Sequence, residues 1–242
     1  MSSILIVHNY FGPRRVLLSQ YTVDSLFFAK KQIEYLAKIK HGIDHIVFTV
    51  NRRDEMDDRL IHNLSLMLPS RLQKATTEII VRENIGLSYG AFSDVYKKYR
   101  TKYSHYFFTE DDYLFCEDDF DSTLISMLME NPRPGYLCGL LRNIEPFGLH
   151  AGNSVGVASA MALEDVFSEN ESIPHVTERT EDPYEPDLIP SQVLHTNSIH
   201  KKGYSLTDIG SRYTLYHVWP EGYEHHFQNN EKEIIKPVQR TL

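Results

Sequence analysis

Short β-rich runs alternate with longer helix-like segments along most of this chain, and no other feature restricts its fold as much. "SILIVHNYF" reads as a strand running out into a loop. "VDSLFFAKKQIEYLAKIK" then carries Leu26, Phe27, Ile33, Leu36 and Ile39 near helical spacing, and Gly42 follows as a stop. "DHIVFTV", "TEIIVREN", "HYFFTEDD" and "GYLCGLL" have the β-branched and aromatic bias of buried strands. The segments between them, "DRLIHNLSLMLP" closed by Pro69, "SYGAFSDVYKKYRTKY" and "FDSTLISMLMEN", read as helices. Strands that alternate with helices pair in parallel and bury both faces. The expectation is an α/β fold: one Rossmann-like α/β/α sandwich with a mostly parallel central sheet. Such a sheet keeps its ligand at the carboxyl ends of the strands.

The pattern loosens after Arg142. "HAGNSVGVASAMALEDVF" reads as a glycine-containing loop, a short strand and a helix start, and "TERTEDPYEPDLIP" as an acidic loop punctuated by proline. A helix from about Ser191 to Lys201 and a strand in "GYSLTDI" follow, and the tail from "YHVWPEG" has no clear period. With 242 residues the chain suits one large domain, residues 1–215, and a C-terminal extension, 216–242. The formal net charge of -8 argues against nucleic acid as a partner, because phosphate neutralisation needs a basic face. Neither Cys116 nor Cys138 lies in a CxxC pair, which excludes a disulfide framework and points to a reducing compartment. No segment approaches the roughly 18 apolar residues of a span, so the expectation is a soluble, cytoplasmic protein with no membrane span.

Acidic side chains concentrate in "HYFFTEDDYLFCEDDFD", residues 105–121. Carboxylates crowded at a strand end repel one another unless they are solvated or a divalent cation neutralises them, and their hard oxygens suit Mn²⁺ or Mg²⁺. The apolar run His105 to Thr109 aims Glu110 and Asp112 at the carboxyl edge of the sheet. Glu117, Asp118, Asp119 and Asp121 instead fit a solvated link and the first turn of a helix, where acids complement the dipole.

"ENIGLSYGAFSDVY" runs into the strand that ends in "TEDD", with "IVHNYF" well ahead of it and "HAGNSVGVASAMALEDVF" and then "HKKGYSL" behind. In that order these segments resemble the Asn-x-Gly segment, the Asp-x-Asp strand, the opening strand, the acceptor-side Gly-Asn segment and the late Gly-Tyr turn of family 2-type glycosyltransferases with the GT-A fold. The likeness spans roughly residues 3–210, and order and spacing carry it, since each motif alone is common. The resemblance implies a GT-A domain with a donor half at about 1–115 and an acceptor half at about 116–215. It implies a metal held by Asp112 and Glu110, the outer acids of the triplet, with Glu110 either a direct ligand or facing the ribose or a metal-bound water, and with His217 as a third ligand. The donor implied is a nucleoside-diphosphate sugar, UDP- or GDP-linked, lying over Asn9, Tyr10, Asn51, Asn84, Gly86 and Asp111. Gly152, Asn153 and Ser154 would frame the acceptor or the donor sugar, and the acceptor implied is a glycan or glycoprotein hydroxyl. Two positions depart from the family: Glu110 stands where Asp is common, and Asn51 stands where acids usually meet the base.

An inverting transfer needs a base for the acceptor hydroxyl, opposite the leaving group. "TERTEDPYEPDLIP" supplies Asp187, Glu185 and Asp182, with Asp187 nearest the helix start and the assignment among them open. Tyr10 either stacks on a pyrimidine or packs its loop, and Arg14, Arg15, Arg52 and Arg53 either meet phosphates or stay solvated. Two other readings fit the same acids: a metal-dependent nucleotidyltransferase or phosphohydrolase, and a non-catalytic nucleotide-sugar-binding module. The first of these lacks a GxxxxGK[ST] phosphate loop.

Overall fold

The computed structural model describes residues 2–9, 26–52, 55–175, 188–210, 212–217 and 231–233. Tyr10, Arg14, Arg15, Arg53, Asp182, Glu185 and Asp187 lie outside the described residues. The first half runs β1 (Ser3–Asn9), α1 (Phe27–Lys38), β2 (His45–Arg52), α2 (Met56–Met67), β3 (Arg71–Leu72), β4 (Ala75–Glu83), α3 (Leu87–Tyr99) and β5 (His105–Glu110). The second half runs β6 (Tyr113–Leu114), α4 (Phe120–Met129), β7 (Pro134–Cys138), β8 (Leu141–Ile144), β9 (Gly148–Ala151), β10 (Gly156–Ser159), α5 (Ala160–Phe167), α6 (Leu188–Lys201), β11 (Ser205–Asp208), β12 (Leu215–His217) and β13 (Glu231–Glu233).

The central sheet has 8 strands in the order β11-β7-β10-β5-β1-β2-β4-β3. β1 pairs in parallel with β2 and β5, β2 with β4, and β11 with β7. This is the mostly parallel α/β sheet that the strand-helix alternation predicts. Every residue of β1 is buried, and successive side chains serve opposite faces. Leu5 and Val7 join Leu36 of α1, Ile39 just past its end, and Phe120 and Leu124 of α4. Ile4 and Ile6 join Tyr89, Phe92, Leu163 and Ile199 of α3, α5 and α6. Two apolar cores on one sheet make the three-layer sandwich.

The second half departs from simple alternation. β10 runs antiparallel between β5 and β7, so "VGVAS" returns down the sheet instead of adding a crossover. The expected strand "GYLCGLL" is split: β7 ends at Cys138, and Leu141 starts a separate hairpin in which β8 pairs with β9. Gly139 is the break, where a Cβ would come within 2.5 Å of Leu215 and 2.7 Å of the Asn153 amide. The tail also contributes structure. β12 pairs antiparallel with β6, and β13 pairs with β12, so part of the C-terminal stretch adjoins the turn after β5. Among the described residues no helix is long and apolar enough to cross a membrane.

Candidate active site

The register of the parallel strands sets His8 beside Glu110, and Asn9 beside Val50, at the carboxyl edge of the sheet. Asn9 is buried there, its Nδ2 donating to the carbonyls of Val7 (3.1 Å) and Thr49 (3.3 Å) while its Oδ1 has no partner among the described residues. One strand over, Asn51 Nδ2 donates to Asn84 Oδ1 (2.9 Å) and to the Leu87 carbonyl (3.1 Å), and Asn51 Oδ1 accepts from Arg82 (2.8 Å). Asn51 and Asn84 therefore shape the loop between β4 and α3. Gly86, φ +69°, and Leu87, φ +47°, both take the left-handed conformation as that loop enters α3. Glycine accepts this freely, whereas leucine holds it at a cost that the surrounding packing must offset. Gly90 completes the bend, since a Cβ there would lie 2.0 Å from the Ile85 carbonyl oxygen.

That bend brings the first turn of α3 onto the acidic strand end. Ser88 Oγ lies 3.3 Å from Ser154 Oγ, and both hydroxyls stand near enough to the Glu110 carboxylate to favour its charged form. Glu110 is surrounded by protein yet keeps part of its surface open to solvent. Burial raises its pKa first, and the neighbouring Asp112 charge raises it further; the two serines only partly oppose this, and the result is about 7. Tyr89 is fully buried beside Glu110, and its hydroxyl is driven well above the ordinary tyrosine range, chiefly by burial. Asp111, buried, is the middle of the turn, with its amide donating to the His8 carbonyl at 3.0 Å.

Of Gly152, Asn153 and Ser154, expected to frame a sugar, Ser154 lies beside Ser88 and near Glu110. Gly152 donates its amide to the Leu140 carbonyl (2.7 Å) and lies under the Arg142 side chain, which comes within 2.7 Å of where its Cβ would be. Asn153 is buried against Gly139, and neither atom of its amide has a partner among the described residues. Unpaired buried amide atoms are costly, so this group is suited to a polar ligand. His217 is placed by its backbone alone: β12 sets it opposite Tyr113, the residue after Asp112.

The second acidic cluster differs from its expected role. Asp118 accepts the Lys40 amide at 2.7 Å, and Asp121, buried, accepts the Gly42 amide at 3.0 Å. Asp119 heads α4 without a side-chain capping bond. These acids fasten the connection between α1 and β2 to the start of α4. Arg52 is engaged by Asp58 through two hydrogen bonds, of 2.6 and 3.0 Å.

Among the described residues no group of three or more His, Cys, Asp or Glu side chains is gathered for a metal. The pair Glu110 and Asp112 nevertheless fits a divalent cation of the Mg²⁺ or Mn²⁺ kind, which takes one or two carboxylates and completes its shell with water and substrate phosphate. Their mutual repulsion is the observation in favour, because a cation between them would relieve it. Three contributors lay beyond the sequence reading: Ser88, Gln32 and Arg82. Gln32 alone left a signal, a polar residue on the apolar stripe between Phe28 and Leu36.

No family model and no curated protein matches the chain. Among solved structures it is similar to a cytidylyltransferase from Leptospira borgpetersenii at 13% identity and a TM-score of 0.48, over 86% of this chain and 75% of that one. It is similar to 4-diphosphocytidyl-2C-methyl-D-erythritol synthase from Anaerococcus prevotii at 11% identity and a TM-score of 0.43, over 79% and 94%. It is also similar to S. aureus TarS 1-349 at 13% identity and a TM-score of 0.39, over 81% of this chain and 55% of that one.

Proposed function

We propose that the chain is a metal-dependent glycosyltransferase that moves a sugar from a nucleoside-diphosphate sugar, UDP- or GDP-linked, to a hydroxyl of a glycan or glycoprotein. The observation that carries this reading is the convergence of Glu110, Ser88 and Ser154 with Asp112 at the carboxyl edge of a mostly parallel sheet. The ordered resemblance of the sequence segments adds to it. Bound Mn²⁺ or Mg²⁺ would offset the charge that builds on the departing diphosphate. Asp112 and Glu110 would hold that cation, with His217 beside them, and Ser88 and Ser154 would keep the Glu110 carboxylate in place.

The nucleotide would lie over the ends of β1, β2 and β4, where Asn9 offers an amide oxygen without a described partner. Asn153 would bind a sugar hydroxyl, its amide giving one donor and one acceptor to a group that has both. The acceptor proton would pass to Asp187, Glu185 or Asp182 as its oxygen attacks the anomeric carbon and the diphosphate leaves from the opposite side.

Thermal-shift measurements with Mn²⁺ and a panel of nucleotides and nucleotide sugars test this. Stabilisation by UDP or GDP species that requires Mn²⁺ is expected, and no response to any of them sinks the reading. Slow hydrolysis of the donor distinguishes an active enzyme from a binding module.

A further inference from the structure

Gln32 interrupts an apolar stripe. Phe28 and Leu36, a helical turn to either side on α1, are core residues, and Gln32 itself is only 1% exposed. Its Nε2 donates towards the carbonyl oxygens of Glu110 (3.2 Å) and Asp111 (3.3 Å), and most closely to that of Tyr113. Only the N–H side of an amide can face carbonyl oxygens, since its own oxygen would be repelled there. Thr109 Oγ1 donates to two of the same carbonyls, those of Glu110 (3.1 Å) and Tyr113 (3.2 Å). The carbonyls of the acidic turn are thus gathered inward onto one buried side chain from a helix far away in sequence.

We propose that Gln32 is the positioning residue of this turn. It touches no ligand; it fixes the direction in which Glu110 and Asp112 leave the backbone. A short turn has several backbone forms that differ by the rotation of a peptide plane. Each form that rotates one of these carbonyls away from Gln32 leaves a buried donor or acceptor unmet, which is disfavoured more than the loss of a surface bond. The amide therefore selects one form, and with it one geometry for the carboxylate pair. The consequence for a cation rests on the function proposed above, whereas the hold on the turn does not.

Gln32→Met tests this, because methionine keeps the length and apolar contact and removes the donor. Amide hydrogen exchange across residues 109–115 and Mn²⁺ affinity by electron paramagnetic resonance titration are the readouts. We expect exchange at Asp111 to Phe115 to quicken by roughly tenfold, about the effect of one lost buried hydrogen bond. Amides of β2 and β4 should keep their native rates, and Mn²⁺ should bind roughly tenfold more weakly. Native exchange in the turn, or equal acceleration everywhere, overturns the proposal. If Gln32→Met fails to fold, Thr109→Val removes the companion donor and is held to the same two outcomes. If the wild-type protein takes up no Mn²⁺, the cation reading falls, and exchange in the turn alone decides the role of Gln32.

Discussion

Between Glu110 and Asp121 the chain places two acidic groups of similar composition in unlike surroundings. Asp118 and Asp121 spend their oxygens on backbone amides of the 40–42 connection, so their charge is answered by groups that every fold must satisfy. Glu110 is buried beside two serine hydroxyls and in the field of Asp112, surroundings that raise its pKa and leave its charge poorly answered. Unanswered charge at a sheet's carboxyl edge marks a site, whereas answered charge at a helix start is architecture. Substitutions that separate activity from stability put this contrast at risk.

The largest effect is expected at Asp112. Asp112→Asn keeps the shape of the turn and removes one negative charge, so turnover should fall by two to three orders of magnitude, the size seen when a charge-stabilising group is lost. The melting temperature should change little. Near-native turnover in this variant would remove Asp112 from the proposed metal site and erase the distinction between the clusters.

Glu110 gives a pH signature with a definite sign. Its folded pKa, about 7, stands above the ordinary carboxylate value of 4.5, so between these values the folded state binds more protons than the unfolded state. Stability of the metal-free protein should therefore fall as pH rises through that window, because the folded surroundings disfavour the ionised carboxylate. Glu110→Gln should flatten the fall and be more stable than the wild type at pH 8. Added Mn²⁺ should raise the wild-type melting temperature more at pH 8 than at pH 6. Urea unfolding across the range checks both, and an unchanged slope in Glu110→Gln assigns the effect elsewhere.

Legibility in the sequence followed the same division. β1, β2 and β5 are readable because a strand buried on both faces is nearly continuous apolar sequence, and β4, mostly half-buried or exposed, is readable by its β-branched run. β10 was found as a strand but not as antiparallel, since Gly156–Ser159 is short and direction leaves no trace in composition. β6 and β12 were missed because two- and three-residue strands have no period, and their pairing joins residues about a hundred positions apart. Glu110 and Asp112 were legible as the end of an apolar run. Ser88 was not, because a serine in the first turn of a helix is ordinary until the fold brings Ser154 and Glu110 to it. The acids of "EDDFD" read as a solvated link and capping charge, whereas the amides that Asp118 and Asp121 hold lie in a connection almost eighty residues earlier, which no local pattern records.

Asp121 supplies the smallest and most discriminating prediction. Its Oδ1 accepts the Gly42 amide and its Oδ2 would lie 2.6 Å from a Cβ at Gly42, so the two are packed as well as bonded. Asp121→Ala leaves that amide without its acceptor and should cost about 1–2 kcal/mol. For a chain of this size that is a fall of several degrees in melting temperature. Asp121→Asn keeps an acceptor oxygen in place and should stay within about 0.5 kcal/mol of the wild type, because an uncharged amide oxygen still satisfies the Gly42 N–H. Turnover should be native in both once the temperature is kept below the transition. A turnover loss in Asp121→Asn comparable to that of Asp112→Asn would show that charge here, and not the hydrogen bond, matters, and the two clusters would have to be treated as one site.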